Sequence, residues 1–183
     1  QLGVQTTIAR IGVSGDGIDI FFPSDNTLNI GLYLSGVGYI WHYITTQVFR
    51  DPHAWMNLVV EFDLDNGTAG NRVRIHVNGE RITSFSTETN PSTSADQAFN
   101  TSDYDLGIGE MNGGGSNFDG YQAQTAWIDG TAYAPSNFGE YNNGVWRPID
   151  ITGLTYGNQG SLLDYADSSA LGNDVSGNNN DFT

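Results

Sequence analysis

The sequence predicts an all-β protein, with antiparallel strands in two sheets packed as a sandwich or jelly roll. Apolar and polar residues alternate with period two in several short stretches, as in half-buried strands. The 24 Gly residues and the many Asn residues favour turns, because both residue types tolerate positive φ. No long stretch repeats apolar residues at helical spacing, so a helical bundle is not expected.

The strongest strand pattern lies at residues 55–65, and residues 72–77 and 28–34 alternate in the same way. The dipeptide Asn78-Gly79 separates residues 73–77 from residues 81–85, which is a strong signal for a two-residue β-hairpin. Further predicted strands cover residues 6–11, 17–22, 39–47, 104–109 and 121–129. Many short strands separated by turn signals are typical of sandwiches and jelly rolls.

The formal net charge is −15, and all six basic residues are Arg. A surface this acidic repels phosphate backbones and anionic lipid headgroups, so we expect no nucleic-acid partner. The chain has no Cys, which excludes disulfides and thiolate metal sites. No apolar run approaches the roughly 18 residues of a membrane-spanning helix, so we expect no membrane insertion.

The composition changes near Glu140. Residues 1–140 carry the strand patterns, whereas residues 141–183 are rich in Asn, Gly and Asp with short apolar islands. We expect residues 141–183 to form an extended wrap anchored by Trp146 and Tyr156, or a linker to a further domain. The chain opens at Gln1 rather than Met, which suggests a processed or truncated polypeptide.

Two sets of motifs resemble a known family. Residues 50–55, Asp63 and residues 72–80 are similar to the central signature of laminin-G-like domains, and residues 118–121 with 127–130 are similar to the closing strand. Residues 144–148, 156–160 and 176–182 resemble concanavalin A-like modules in tail-fibre and other virion proteins of marine phages. The resemblance implies a lectin-type jelly-roll sandwich, and it implies that the first strand of the domain is absent, so that the chain is an excerpt.

For function, the resemblance implies a non-catalytic adhesion or carbohydrate-binding module in a virion appendage or another extracellular location. The expected partners are a cell-surface glycan and other virion chains, with a homo-oligomer as the expected assembly. A structural decoration or assembly domain is the alternative. A polysaccharide-degrading enzyme is a third hypothesis that the sequence favours less, and we expect no enzymatic activity.

Related folds also contain glycosidases, which need two carboxyl groups about 5–5.5 Å apart when they retain configuration. Glu61 and Asp63 lie at i and i+2 on one predicted strand face. The laminarinase-like pattern places a second Glu three residues after the Asp, where this chain has Asn66. Glu61 and Asp63 are therefore candidate ligand-binding residues or a structural pair, without a predicted catalytic role.

Calcium is a possible cofactor, because laminin-G-like domains often bind it through rim carboxylates and backbone oxygens. Asp63 and Asp65 form the best local cluster, and Asp119 is a possible third ligand. Asp and Asn in such positions also serve as turn formers. None of the three His residues has a partner at metal-ligand spacing, so none is assigned a catalytic or metal-binding role.

Aromatic residues alternate at Tyr39, Trp41 and Tyr43, which predicts one shared strand face. On a solvent-facing sheet these rings suit stacking against sugars, and on the inner face they belong to the core. Trp41 and Tyr43 are kept as candidate ligand-binding residues. Asn112 joins them because it precedes a Gly-rich loop at the expected rim of the sandwich.

Overall fold

The computed structural model describes residues 3–13, 15–93, 105–110 and 116–182 of the 183-residue chain. The secondary structure of this part consists of strands and short 3-10 turns, so the all-β, antiparallel prediction is confirmed. The strands are β1 (Thr6–Val13), β2 (Asp16–Phe22), β3 (Thr27–Leu34), β4 (Gly38–Val48), β5 (Leu58–Phe62), β6 (Val73–Val77), β7 (Glu80–Arg81), β8 (Phe85–Thr89), β9 (Asp105–Ile108), β10 (Thr125–Trp127), β11 (Gly139–Asn142), β12 (Val145–Pro148) and β13 (Ser161–Leu163).

The chain divides into two compact units, Gln1–Gly120 and Tyr121–Thr183. The first unit contains a six-stranded antiparallel sheet in the order β8-β4-β3-β2-β1-β9 and a three-stranded sheet in the order β5-β6-β7. None of the helices in the described ranges is long and apolar enough to cross a membrane.

The core of the first unit lies between its two sheets. Ile18, Ile30 and Trp41 are fully buried on one face of the six-stranded sheet. From the three-stranded sheet, Ile75 is also buried, and the ring of Phe62 lies 6.1 Å from the ring of Trp41. Two sheets that bury their apolar faces against each other form a sandwich, as the period-two patterns predict.

The hairpin predicted at Asn78-Gly79 is confirmed. Asn78 has a φ of 50° and Gly79 a φ of 81°, and Val77 pairs with Glu80 on the opposite strand. Positive φ at both central residues matches a type I′ turn, which follows the right-handed twist of the flanking strands. The Asn78 side chain also accepts a hydrogen bond from the backbone N–H of Asn57 at 2.8 Å.

The predicted strands at residues 55–65 and 81–85 differ from the strands in the structure. β5 covers Leu58–Phe62 rather than residues 55–65, and Trp55 is 67% exposed before it begins. After β7 the chain leaves the three-stranded sheet, and β8 pairs instead with β4 in the six-stranded sheet. Residues 81–85 therefore cross from one sheet to the other, a connection that alternation within a single strand cannot show.

The second unit begins at Tyr121, before the boundary predicted near Glu140. Its core contains Ile151, Tyr156 and Leu162, and Phe138 packs against these three residues. Within the predicted strand at residues 121–129, only β10 is a strand, and it pairs with β13 in this unit. The chain from Tyr121 to Glu140 contributes to this core, which is why the unit starts earlier than the change in composition.

Residues 141–183 fold within this unit and are not an extended wrap. β11 and β12 form a hairpin, and the motif at residues 176–182 closes onto the motif at residues 156–160. The Asn178 amide donates to the carbonyls of Gly157 and Gly160 at 2.6 and 2.8 Å, and the Asn180 amide donates to Asn158 and Gly160. These two Asn side chains thus satisfy backbone carbonyls that lie outside the strands.

Asp174 organises the same part of the chain. Its side chain is buried and accepts hydrogen bonds from the backbone N–H groups of Leu162, Ser176 and Asn180, at 2.8 to 2.9 Å, and from the Ser176 hydroxyl. Burial alone would raise the pKa of Asp174, but these hydrogen bonds hold that pKa below its ordinary value. The carboxylate therefore connects β13 to the closing turns of the chain.

Candidate functional site

A bulge in β4 separates the aromatic residues that were predicted to share one face. Leu32 pairs with Trp41, yet the next residue, Tyr33, pairs with Tyr39, so Ile40 is the additional residue in β4. An additional residue reverses the alternation of side chains beyond it. Tyr39 therefore points away from the core, and the prediction that it shares a face with Trp41 and Tyr43 is wrong.

Trp41 and Tyr43 are core residues. Their exposed fractions are 0% and 2%, and their rings lie 6.2 Å apart at an interplanar angle of 62°. Burial raises the pKa of Tyr43 to about 12, and its hydroxyl donates a 2.7 Å hydrogen bond to Asn90. Neither ring is available to stack against a ligand, so the sequence-based assignment of these two residues as ligand contacts does not fit their position.

The outer face of the six-stranded sheet carries a different set of rings, Tyr33, Tyr39 and His42, which we call the outer aromatic cluster. The Tyr39 and His42 rings are stacked 3.7 Å apart at an angle of 5°. The Tyr33 ring meets Tyr39 edge-on at 5.3 Å and 76°. Tyr33 and Tyr39 remain 36% and 40% exposed, so this cluster faces solvent.

Gly31 makes room for this stack. It pairs with His42 across β3 and β4, so a side chain at position 31 would project onto the same face. A Cβ atom there would lie 2.8 Å from Tyr39 Cδ1 and 2.9 Å from His42 Cδ2. The two rings can settle on the sheet because residue 31 has no side chain.

Polar residues surround the cluster on the same face. Arg10 pairs with Asp19 across β1 and β2, and Asp19 pairs with Gly31 across β2 and β3. The Arg10 guanidinium donates to the Asp19 carboxylate at 2.6 Å, and both side chains are buried. Burial raises the pKa of Asp19 above its ordinary value although the neighbouring Arg10 lowers it. Burial and then the Asp19 charge raise the pKa of the Tyr39 hydroxyl.

His42 is held by Asn29 within β3. Its Nε2 lies 3.1 Å from the Asn29 side-chain oxygen, and because that oxygen only accepts, the contact requires the proton on Nε2. Burial lowers the pKa of His42, so the ring is neutral at pH 7. The Asn29 amide nitrogen in turn donates to the Thr27 hydroxyl at 3.1 Å. Asn29 and Thr27, both in β3, therefore orient the His42 ring of the stack through successive hydrogen bonds.

Glu61 lies in a different network on the outer face of the three-stranded sheet. It pairs with Arg74 across β5 and β6, and Arg74 Nη2 and Nε donate to Glu61 Oε2 at 2.7 and 3.2 Å. His76 Nδ1 lies 3.2 Å from Oε1 without hydrogen-bond geometry. Burial lowers the pKa of His76 although the Glu61 charge raises it. Glu61 is 8% exposed, so its carboxylate is buried and ion-paired, as in the structural-pair alternative.

Arg74 also connects the two carboxylates that the sequence singled out. Its Nη1 lies 3.7 Å from Asp63 Oδ2, and the Asn66 amide donates to the same oxygen at 2.9 Å. Arg74 therefore lies between the two carboxylates and is within 4 Å of both. The arrangement of Glu61 and Asp63 is that of an ion network holding β5, β6 and the following turn together.

The predicted calcium ligands are not assembled into a cluster. Asp65 and Asp119 are both exposed, and Asp63 faces Arg74. Throughout the described ranges, no group of three or more His, Cys, Asp or Glu side chains is placed to hold a metal ion. Asn66 accepts a hydrogen bond from the Thr68 N–H at 3.0 Å, which is the turn-forming role of such residues. Asn112 lies outside the described residues.

A cavity of about 130 Å³ lies at the edge of the sandwich. Tyr43, Val73, Arg81, Phe85 and Glu88 are among its lining residues. Small-molecule pockets usually enclose about 300–1,000 Å³, so this cavity is too small to enclose a sugar. An exposed sheet face is the better candidate for a binding surface in this unit.

No protein-family model, no curated protein and no solved structure matches this chain. The candidate site therefore depends on its geometry alone. Sequence reasoning identified the alternation around Tyr39 but missed Tyr33, Arg10, Asp19 and the partnership of His42 with Asn29. Alternation places Arg10, Asp19 and Tyr33 on the polar faces of β1, β2 and β3. Only the pairing among β1, β2, β3 and β4 brings these three side chains to the face that carries His42.

Proposed function

We propose that this chain is a non-catalytic carbohydrate-binding or adhesion module, and that the outer aromatic cluster is its binding surface. The observation that supports this proposal is the pair of solvent-exposed rings, Tyr33 and Tyr39, fixed on a rigid sheet by the His42 stack. Sugar rings present C–H groups on their faces, and aromatic faces are electron-rich, so the two attract. A pre-oriented platform also lowers the entropic cost of binding.

The same proposal includes the finer description of the fold and its setting. A laminin-G-like, concanavalin-type jelly roll in a phage tail fibre or other virion appendage fits an antiparallel sandwich with a polar, aromatic outer face. In an extracellular location, the outer aromatic cluster would be accessible to cell-surface glycans. The outer aromatic cluster supports the proposed function more than the fold class does, because sandwiches of this class have many unrelated functions.

Binding to immobilised glycans and host-surface polysaccharides tests this proposal. We expect Tyr39→Ala to weaken binding about tenfold, as for a central aromatic contact. Trp55→Ala is the matched control, because Trp55 is an exposed aromatic residue of the same unit outside the cluster. If the unaltered protein binds no glycan or host-surface component, the proposed function is wrong.

A structural virion part is the second candidate. It is favoured by Val37, which is 72% exposed at the turn between β3 and β4, and by Ile40, which is 40% exposed at the bulge. Exposed apolar residues that form one patch are typical of protein contacts, and these two are three positions apart in the sequence. Light scattering of Val37→Ser beside the unaltered protein tests it, since an assembly that depends on this turn would dissociate.

A further inference from the structure

We propose that the outer aromatic cluster selects uncharged glycans and discriminates against sulfated or carboxylated ones. This inference rests on the proposed function and adds the chemical class of the ligand.

The two formal charges beside the cluster neutralise each other. Arg10 and Asp19 are both buried, and their nearest side-chain atoms are 2.6 Å apart. Arg10 Nη2 also donates to the Val13 carbonyl at 3.0 Å. Recognition of a sulfate or carboxylate requires an available cation, usually an Arg with two free donors. Arg10 is not available to a ligand, because it is 5% exposed and already pairs with Asp19.

The other Arg residues of this unit lie away from the cluster, because Arg50 follows the opposite end of β4 from Tyr39 and the remaining three lie in β6, in β7 or directly before β6. Arg72 donates to the carbonyls of Asn66 and Pro91, Arg74 to Glu61 and the Asn71 carbonyl, and Arg81 to the Gly70 carbonyl. The chain contains no Lys and carries a net charge of −15. Its overall field therefore opposes the approach of a polyanion at low ionic strength.

The exposed rings reinforce this selectivity. The π-face of an aromatic ring carries negative charge density, which attracts C–H groups and repels anionic substituents. Tyr33 and Tyr39 are 36% and 40% exposed, and a tyrosine hydroxyl can both donate to and accept from sugar hydroxyls. An uncharged sugar can use the faces and hydroxyls together, whereas an anionic sugar brings a charge that nothing at the cluster compensates.

The experiment uses polysaccharides that differ in charge but share a backbone. Affinity electrophoresis of the full chain is run through dextran and dextran sulfate, and through hydroxyethyl cellulose and carboxymethyl cellulose. We expect retention by at least one uncharged member and at least about tenfold weaker retention by its charged partner at low salt. Added NaCl should reduce the difference in retention between the uncharged and the charged polysaccharide, because it screens the repulsion between the acidic protein and the charged polysaccharide.

Two variants assign the effect to the cluster. Tyr39→Ala removes the stacked ring, and Tyr33→Ala removes the second exposed ring while leaving the Tyr39–His42 stack. Each should reduce retention of the protein by the uncharged polysaccharide. Trp55→Ala is the control, and it should be retained as strongly as the unaltered protein. Near-UV circular dichroism of both variants verifies that the fold is kept.

The outcomes separate the inference from the proposed function. Tighter binding of a charged polysaccharide that Tyr39→Ala abolishes would overturn the selectivity and leave glycan binding in place. Absence of binding to every polysaccharide, in this assay and on the glycan surfaces above, would overturn both. If Tyr39→Ala changes the molar mass in light scattering but not the retention, the cluster contacts a second copy of the chain, and the inference is wrong.

Discussion

Replacing Gly31 with Ala would place a methyl group beneath the outer aromatic cluster. The new Cβ would lie 2.8 Å from Tyr39 Cδ1, 2.9 Å from His42 Cδ2 and 2.9 Å from the carbonyl oxygen of Trp41. Packed carbon atoms prefer separations of about 3.5–4.0 Å. Both rings would therefore have to lift by roughly half an ångström or more, while the Trp41 carbonyl is backbone within a paired strand and yields little.

The cost follows from two opposing effects. Adding a methyl group where there is no space costs about 1–3 kcal/mol. Ala in place of Gly in a strand recovers about 0.5–1 kcal/mol, because the unfolded chain loses less entropy on folding. We expect Gly31→Ala to lower the free energy of unfolding by about 1–2 kcal/mol and to weaken glycan binding through the displaced rings.

Urea unfolding followed by fluorescence measures this loss. Gly67→Ala is the matched control, because its φ is not positive and nothing lies within 4 Å of its Cβ position. It should leave stability unchanged or raise it by up to about 1 kcal/mol, because Ala restricts the unfolded chain and meets no clash at this position. In a Tyr39→Ala background, Gly31→Ala should cost less, since one overlapping ring is gone. Equal stability of Gly31→Ala and Gly67→Ala would refute the packing of the cluster described here.

Three further predictions concern ionisable groups. Glu61→Gln should cost about 1–3 kcal/mol in urea unfolding, because Arg74 loses its buried charged partner and keeps only the more distant Asp63, whereas Asp65→Asn at an exposed position should cost little. A loss at position 61 no larger than the loss at position 65 would contradict the ion network. Because burial lowers the pKa of His76, the unfolded chain takes up a proton more readily, so stability should decline as pH falls below about 6.5. His76→Gln should flatten that decline in thermal melts, and an unchanged slope would count against it. The lowered pKa of Asp174 stabilises the second unit above about pH 4, and this contribution is lost as pH falls through the lowered value. Asp174→Asn should increase amide hydrogen exchange in residues 161–182 at neutral pH, and unchanged exchange would show that the carboxylate is dispensable.

Local sequence chemistry predicted much of the strand content. The alternation around β3, β5 and β6 and the Asn78-Gly79 turn depend on neighbouring residues, because side-chain direction alternates along a strand and positive φ favours Asn and Gly. The same reasoning indicated Glu61 as the polar side of β5. It did not show that Arg74 and His76 bury Glu61, since that depends on the register between two strands.

The C-terminal segment shows a second limit of composition. Its Asn, Gly and Asp residues suggested an extended chain, because few of them are apolar. In the structure, the amides of Asn178 and Asn180 satisfy backbone carbonyls across a separation of about twenty residues, and Asp174 gathers backbone N–H groups. These hydrogen bonds make a polar segment compact without a large apolar core.

By itself, the sequence determined that this protein is built of short antiparallel strands with half-buried faces, an acidic surface and a tight hairpin after β6. Those properties follow from residue types and their spacing over a few positions. The tertiary structure alone decided which aromatic rings meet solvent. One additional residue in β4 turns Tyr39 outward and leaves Trp41 and Tyr43 inside. This bulge is visible only in the pairing of β4 with β3, because the register between the two strands decides which side chains share a face.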